Sequence, residues 1–299
     1  MNDDIRSLLR YVCNGDIEKS KIAAKIVLNN IKSQKDEKFK NDMLNKLQSS
    51  TQLITLKSKL TFVDIVDASN FNEERYLLRD NVERKLYNQV FDIIEGTEFL
   101  QSLDISYVPT ILLSGASGTG KTTFAKYIAY KLGYPLIYVR ISKIVDSLLG
   151  KTSSNIAKIF DTVNEQKCVL CLDELDAIGK KRDGESNDVG EMNRVVISIM
   201  QELDLVTNNS IIVATTNRPD ILDVALLRRF KIKFDFSLLN IDETKALVKK
   251  YFDSCHIDTN LSYFDTWFNN TFKNSEYAQY EVIETCIKFL LENYKKFIK

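Results

Sequence analysis

Eight consecutive residues, Gly115, Ala116, Ser117, Gly118, Thr119, Gly120, Lys121 and Thr122, have the types and order that grip a triphosphate. A turn of small residues can aim its backbone N–H groups inward at an anion, and a following helix adds the positive end of its dipole. Gly118 and Gly120 allow positive φ and close approach where a Cβ would collide with phosphate oxygens. Lys121 supplies a point charge for the β- and γ-phosphates, and Thr122 offers a hydroxyl ligand to Mg²⁺. Ser117, Thr119 and Phe124, which opens the helix-like stretch after the loop, complete the nucleotide-binding candidates here.

Two further clusters suit the same chemistry. Val169-Leu170-Cys171-Leu172 is an apolar run that ends in Asp173 and Glu174. A strand end of this kind can hold Asp173 against Mg²⁺, through water, and Glu174 against the attacking water. The run 211–216 ends in Asn217, whose amide can hold that water from the side opposite Glu174. Arg228 and Arg229 then follow a short apolar helix. Phosphoryl transfer gains about 10³–10⁵ in rate from a guanidinium at the γ-phosphate. Neither the loop nor the two strand motifs contains an arginine, so this pair is the candidate source.

These side chains need a scaffold that brings strand ends together. Between residues 61 and 238 strand-like and helix-like segments alternate, the pattern of an α/β fold with a parallel sheet. The spacing predicts strands at 110–114, 136–140, 168–172, 210–215 and 231–236, with Gly133-Tyr134-Pro135 stopping the helix after the loop. From 239 to 299 the pattern turns helical, at 243–252, around Phe264 and Trp267, and at 277–297. Those aromatics read as the core of a small helical domain rather than a base-stacking platform. Residues 1–60 carry apolar side chains at helical spacing: Ile5, Leu8, Leu9 and Val12, then Ile22 and Ile26, then Phe39, Met43 and Leu47.

Bulk composition narrows the classes. Lys+Arg and Asp+Glu each number 41, so no overall field draws nucleic acid or anionic membrane. No stretch is apolar enough to span a membrane, and the acidic start, Met1-Asn2-Asp3-Asp4, lacks a signal pattern, so a cytoplasmic protein is expected. Cys168 and Cys171 have metal-like spacing, but no second pair completes a zinc set, and they read as small hydrophobes in a buried strand. His256 is the single histidine, which argues against His-based catalysis.

The order of phosphate loop, Asp173-Glu174, Ala214-Thr215-Thr216-Asn217-Arg218-Pro219 and Leu226-Leu227-Arg228-Arg229-Phe230 resembles the AAA clade of the AAA+ ATPases. The resemblance extends over residues 61–299. It implies a P-loop NTPase core at 61–238, a C-terminal helical lid at 239–299, and an N-terminal helical region at 1–60 that docks an adaptor or substrate. It implies that the segment 62–66, with Asp64 and Ile65, packs on adenine. Asn217 would be the sensor-1 residue, and Arg228 and Arg229 the fingers that enter a neighbouring subunit's site. It further implies ATP with Mg²⁺, and a homo-oligomeric ring, usually a hexamer, since head-to-tail contacts close into rings. The compact Arg228-Arg229-Phe230 looks most like single-ring bacterial or phage members.

Two departures bear on what is moved. Leu148 stands where polypeptide-threading members carry an aromatic, and the lid stretch 273–278 has no arginine for the γ-phosphate. Lys180, Lys181 and Arg182 suit either a second axial loop or a solvated connection. The resemblance favours an ATP-driven ring that remodels or partly unfolds a protein client. The alternatives are a nucleotide-gated assembly switch in a bacterial or phage conflict system, and a DNA-associated motor, which the neutral charge disfavours.

Overall fold

The computed structural model describes residues 3–13, 17–30, 40, 43–44, 62–80, 83–105, 107–146, 152–178, 187–207, 210–257 and 262–297. Residues Met1–Thr61 and Phe62–Lys299 are two separate compact units. In the first, helices α1 (Asp3–Cys13) and α2 (Ile17–Asn29) follow the helical spacing of their apolar residues. They close over Ala23, and Asn30 Nδ2 donates to Asp4 Oδ2 at 2.8 Å. Ile5, Leu9, Val12, Ile22 and Ile26 stay exposed. Phe39 and Leu47 lie outside the described residues.

The second unit opens with strand β1 (Val63–Val66), which the sequence reading did not identify as a strand, and helix α3 (Glu83–Ser102). Next come β2 (Thr110–Gly115), α4 (Lys121–Leu132), β3 (Leu136–Arg140), α5 (Ile141–Asp146), α6 (Thr152–Glu165) and β4 (Val169–Asp173). The core ends with α7 (Asn187–Leu205), β5 (Ile211–Thr215), α8 (Val224–Leu227) and β6 (Ile232–Phe236). All five expected strands form, within a residue at each end.

The sheet runs β1-β3-β4-β5-β2-β6. Five strands are parallel, and β1 joins the β3 edge antiparallel, with Val63 opposite Val139. Parallel strands covered on both faces read as near-continuous apolar runs, and β4 and β5 are buried through Leu172 and Thr215. Helix α4 buries Phe124, Ala125, Tyr127, Ile128 and Ala129 against one face. It stops at Gly133, whose φ of 65° suits glycine and whose N–H returns to the Ala129 and Tyr130 carbonyls.

Beyond β6 the chain forms β7 (Leu239–Asn240), α9 (Ile241–Asp253), α10 (Ser262–Thr271), β8 (Glu276–Tyr277) and α11 (Gln279–Phe297). Asn240 and Glu243 cap α9 reciprocally, each side chain accepting from the other's backbone N–H at 2.9 Å. Leu247, Phe252, Phe264, Phe268, Val282 and Phe289 make a core of their own. The Trp267 and Phe289 rings lie 4.5 Å apart in it, so these aromatics pack on each other as expected. The antiparallel β7–β8 pair, absent from the sequence reading, ties the first strand of this helical part to the turn before α11.

Candidate nucleotide site

Sheet topology assembles the site at the carboxyl ends of the strands, where open α/β sheets bind ligands. Strand β5 lies between β2 and β4, with Leu113 opposite Thr215 and Leu172 opposite Ala214. The loop after β2, the acids after β4 and the amide after β5 therefore meet. Strand β2 ends in Gly115, with φ of 133°. A Cβ there would lie 2.3 Å from the Phe236 carbonyl oxygen on β6, so only glycine lets the loop leave the sheet at this point.

Lys121 is the first residue of α4, behind Gly120 in the left-handed region at φ 99°. Its Nζ donates to Gly115 O at 2.8 Å, Ala116 O at 2.7 Å and Asn217 Oδ1 at 2.8 Å. The side chain is buried, and that burial lowers its pKa against the opposing pull of Asp173, Asp176 and Asp235. Thr119 Oγ1 donates to Ala116 O at 2.9 Å and so shapes the loop from within.

Asp173 accepts from three hydroxyls: Thr122 at 3.0 Å and Thr215 on Oδ1, and Tyr138 on Oδ2. Burial, followed by this bond to Asp173, pushes the Tyr138 phenol upward in pKa, so it stays a donor. Glu174 takes φ of 59°, and its N–H donates to Thr215 Oγ1 at 3.2 Å. Ser142, at the start of α5, donates to Glu174 Oε2 at 2.7 Å. Buried Asp176 accepts from Thr216 Oγ1 at 3.1 Å and from the Asn217 N–H at 3.2 Å, which anchors the turn that presents Asn217.

These groups line a cleft of about 590 Å³, within the range of small-molecule sites. Ser117, Gly118, Gly120, Lys121, Thr122, Asp173, Glu174 and Asn217 are all on its wall. Phe71, Leu77, Leu247, Tyr251 and Ile283 add apolar side chains to the same wall. Four expected nucleotide contacts are not on this wall, Thr119 among them. Phe124 is fully buried in the core, its ring edge-on to Phe236 at 5.7 Å. Asp64 and Ile65 lie on β1, where Asp64 pairs with Arg140 at 3.2 Å, and the cleft wall does not pass through them.

The arginine pair divides. Arg229 donates to Ala225 O at 2.8 Å and pairs with Asp204 at 3.0 Å. Arg228 is exposed, and its side chain makes no hydrogen bond or ion pair among the described residues. Leu148, Lys180, Lys181 and Arg182 lie outside the described residues.

Sequence reasoning overlooked Tyr138, Ser142, Thr215, Asp176 and the residues beyond 239 that line the cleft. Asp176 carried a signal, as an acid two residues beyond Glu174 in an otherwise apolar turn. Tyr138 and Ser142 carried none, because only the pairing of β3 with β4 sets Arg140 opposite Asp173.

The oxygen donors Thr122 and Asp173 fit Mg²⁺, a hard cation that takes one or two protein oxygens and fills its shell with phosphate and water. Among the described residues no cluster of three His, Cys, Asp or Glu side chains could hold a metal without such help. Cys168 and Cys286 are buried, which pushes their thiols up to about 12 and leaves them inert packing groups. No helix among the described residues is long and apolar enough to cross a membrane.

Residues 111–238 match the family described as "ATPase family associated with various cellular activities (AAA)". Over 120 residues the chain is 39% identical to the uncharacterized AAA family ATPase y4kL of Sinorhizobium fredii, covering 40% of this chain and 36% of that protein. It is 34% identical over 196 residues to the ATP-dependent zinc metalloprotease FtsH of Caldicellulosiruptor bescii, covering 64% and 30%. A putative 26S proteasome regulatory subunit homolog of Methanothermobacter marburgensis is 30% identical over 155 residues, covering 51% and 41%. The chain thus spans between 30% and 41% of the length of these relatives. With the phosphate loop, the acid pair and the β5 amide on one cleft, this chain carries an ATP-binding AAA-family ATPase domain of the AAA+ superfamily, related to FtsH and the proteasome ATPases.

Proposed function

We propose that the chain hydrolyses ATP in a homo-oligomeric ring and uses the cycle to remodel a protein client. One observation carries the composite-site reading. The cleft wall holds a lysine, two acids and an amide beside the loop, while Arg75, its single lining arginine among the described residues, is turned to Ser254 and Tyr251. Arg75 donates to Ser254 Oγ at 3.1 Å and stands over the Tyr251 ring. Arg228, exposed and uncommitted, is the residue that can reach a second subunit's γ-phosphate.

In this reading Lys121 exchanges its loop carbonyls for the β- and γ-phosphates. Glu174 polarises the attacking water, and Asn217 holds it from the opposite side. Thr122 and Asp173 would hold Mg²⁺, which would offset charge developing on the phosphates. Residues 239–299 serve as the lid, and loss of the γ-phosphate frees the neighbour's Arg228. Arg229, tied to Asp204, positions the turn that presents Arg228. Residues 1–60 choose the client.

Mixing subunits tests this reading. Arg228→Ala and Lys121→Ala proteins should each lose turnover, and their mixture should regain part of it, because some interfaces pair an intact finger with an intact pocket. A mixture as inactive as its parents sinks the finger in trans. The Leu148 position favours a second reading, a nucleotide-gated switch, because leucine grips a threaded chain with less area than an aromatic. If Leu148→Asp spares both ATPase activity and client release, the switch replaces the remodeller.

A further inference from the structure

We infer that Gln279 is a phosphate-contacting residue carried by the lid, its carboxamide Nε2 donating to diphosphate oxygens of a nucleotide on the loop. This rests on reading the cleft as a nucleotide site.

Gln279 opens α11, is only 7% exposed, and lies on the cleft wall. Its Nε2 is buried with no hydrogen-bond partner among the described residues. Buried amide donors are seldom left unpaired, so a bonding group that the described residues do not supply is expected beside it. The carboxamide lies over Gly120: a Cβ there would stand 2.4 Å from Gln279 Oε1 and 3.1 Å from Nε2. Gly120 is the N-cap of α4, where free N–H groups and the helix dipole attract an anion.

The placement is fixed by main chain. The Tyr280 N–H donates to Gly118 O at 3.1 Å, which sets the first turn of α11 on the phosphate loop. Of the cleft-lining residues beyond 239, namely Leu247, Tyr251, Gln279, Tyr280 and Ile283, only Gln279 has a side-chain N–H donor. It meets the loop at Gly120, whereas Lys121 Nζ, Asn217 and Glu174 mark the side where the γ-phosphate is cleaved. The contact therefore goes to the phosphates that ADP and ATP share. Nucleotide occupancy, rather than the γ-phosphate, is what this lid residue reads.

Equilibrium binding of fluorescent ADP and ATP analogues to the full chain tests the inference. Gln279→Leu keeps the volume and loses the donor, and should weaken both nucleotides alike by about tenfold. Gln279→Glu places a negative charge beside the phosphates and should weaken both further. The melting midpoint without nucleotide should match the wild type, while the nucleotide-induced rise shrinks. If the leucine variant misfolds, Gln279→Met carries the same comparison. Wild-type affinity in the folded leucine or methionine variant overturns the inference alone, and a loss confined to ATP overturns the diphosphate assignment. Wild-type protein that binds neither analogue overturns the nucleotide reading and this inference with it.

Discussion

Asp173 is oriented by the hydroxyls of Thr122, Thr215 and Tyr138, and Glu174 by Ser142, so both acids are aimed before a cation or water arrives. Partners behind a metal ligand typically contribute about 10–100-fold to metal affinity or activity. Tyr138→Phe should therefore raise the Mg²⁺ concentration for half-maximal turnover by about tenfold, as a Mg²⁺ titration of ATPase rate would measure. In the proposed mechanism Glu174→Gln removes the base and should lower kcat by about 10²–10⁴-fold while ATP affinity holds. Single-turnover kinetics beside equilibrium binding separates the two effects, and normal hydrolysis would remove Glu174 from its role. Asp176→Ala leaves the Thr216 hydroxyl and the Asn217 N–H without their acceptor. Its cost should be about 1–3 kcal/mol in thermal or urea unfolding, with a fall in kcat as Asn217 loses its anchor. The motif residues were legible because their chemistry is local to short strings. Their supports were not, since Tyr138 and Ser142 are 35 and 32 residues from the acids they hold.

At the scale of elements, Arg79 bridges the sheet and the C-terminal helical part. Buried with Glu83, it donates from Nε at 2.8 Å to that carboxylate and from Nη1 at 3.2 Å to Ser237 Oγ. Its guanidinium also approaches Leu238 O at 3.4 Å and Glu243 of the α9 cap at 3.6 Å. One side chain thus joins the start of α3, the chain leaving β6 and the start of α9. Removing a single partner of a buried pair leaves an uncompensated charge. Arg79→Leu should cost about 3–5 kcal/mol in urea unfolding, and Arg79→Leu with Glu83→Leu should recover much of it. Strands β2 to β5 were readable from residue order because their apolar runs are buried, and β6 because buried Ile232 and Phe236 alternate with exposed Lys233 and Asp235. Strand β1 and helix α3 were not: β1 has one buried residue of four, and the buried face of α3 is a sparse set that includes Leu86 and Val90.

At the scale of the whole molecule, the N-terminal unit exposes Ile5, Leu9 and Val12 along one stripe of α1, and Ile22 and Ile26 on α2. Surface apolar residues at helical spacing suit a protein partner. In the client-docking reading, Leu9→Asp with Val12→Asp should abolish capture of clients on a Glu174→Gln ring, as read by mass spectrometry. ATPase activity should stay unchanged, and stability should shift by about 0.5 kcal/mol or less, as for surface changes. Captured proteins that are the same with and without the change would reduce α1 to a stabilising cap.

Residue order by itself determined the phosphate loop, the acid pair, the β5 amide, the arginine pair, five strands and an aromatic-cored C-terminal part. Each is a local pattern: small residues for a tight turn, apolar runs for buried strands, polar residues at their ends. Tertiary structure decided the rest. It put Phe124 in the core, placed Asp64 and Ile65 on the edge strand β1, brought Phe71, Leu77, Leu247, Tyr251 and Ile283 onto the cleft wall, and tied Arg229 to Asp204 while leaving Arg228 exposed. It also set Gln279, 159 positions beyond Gly120, against the N-cap of α4. Such placements depend on which face of a helix turns inward and which strands pair, and the sheet and lid fix those choices only after the chain has closed on itself.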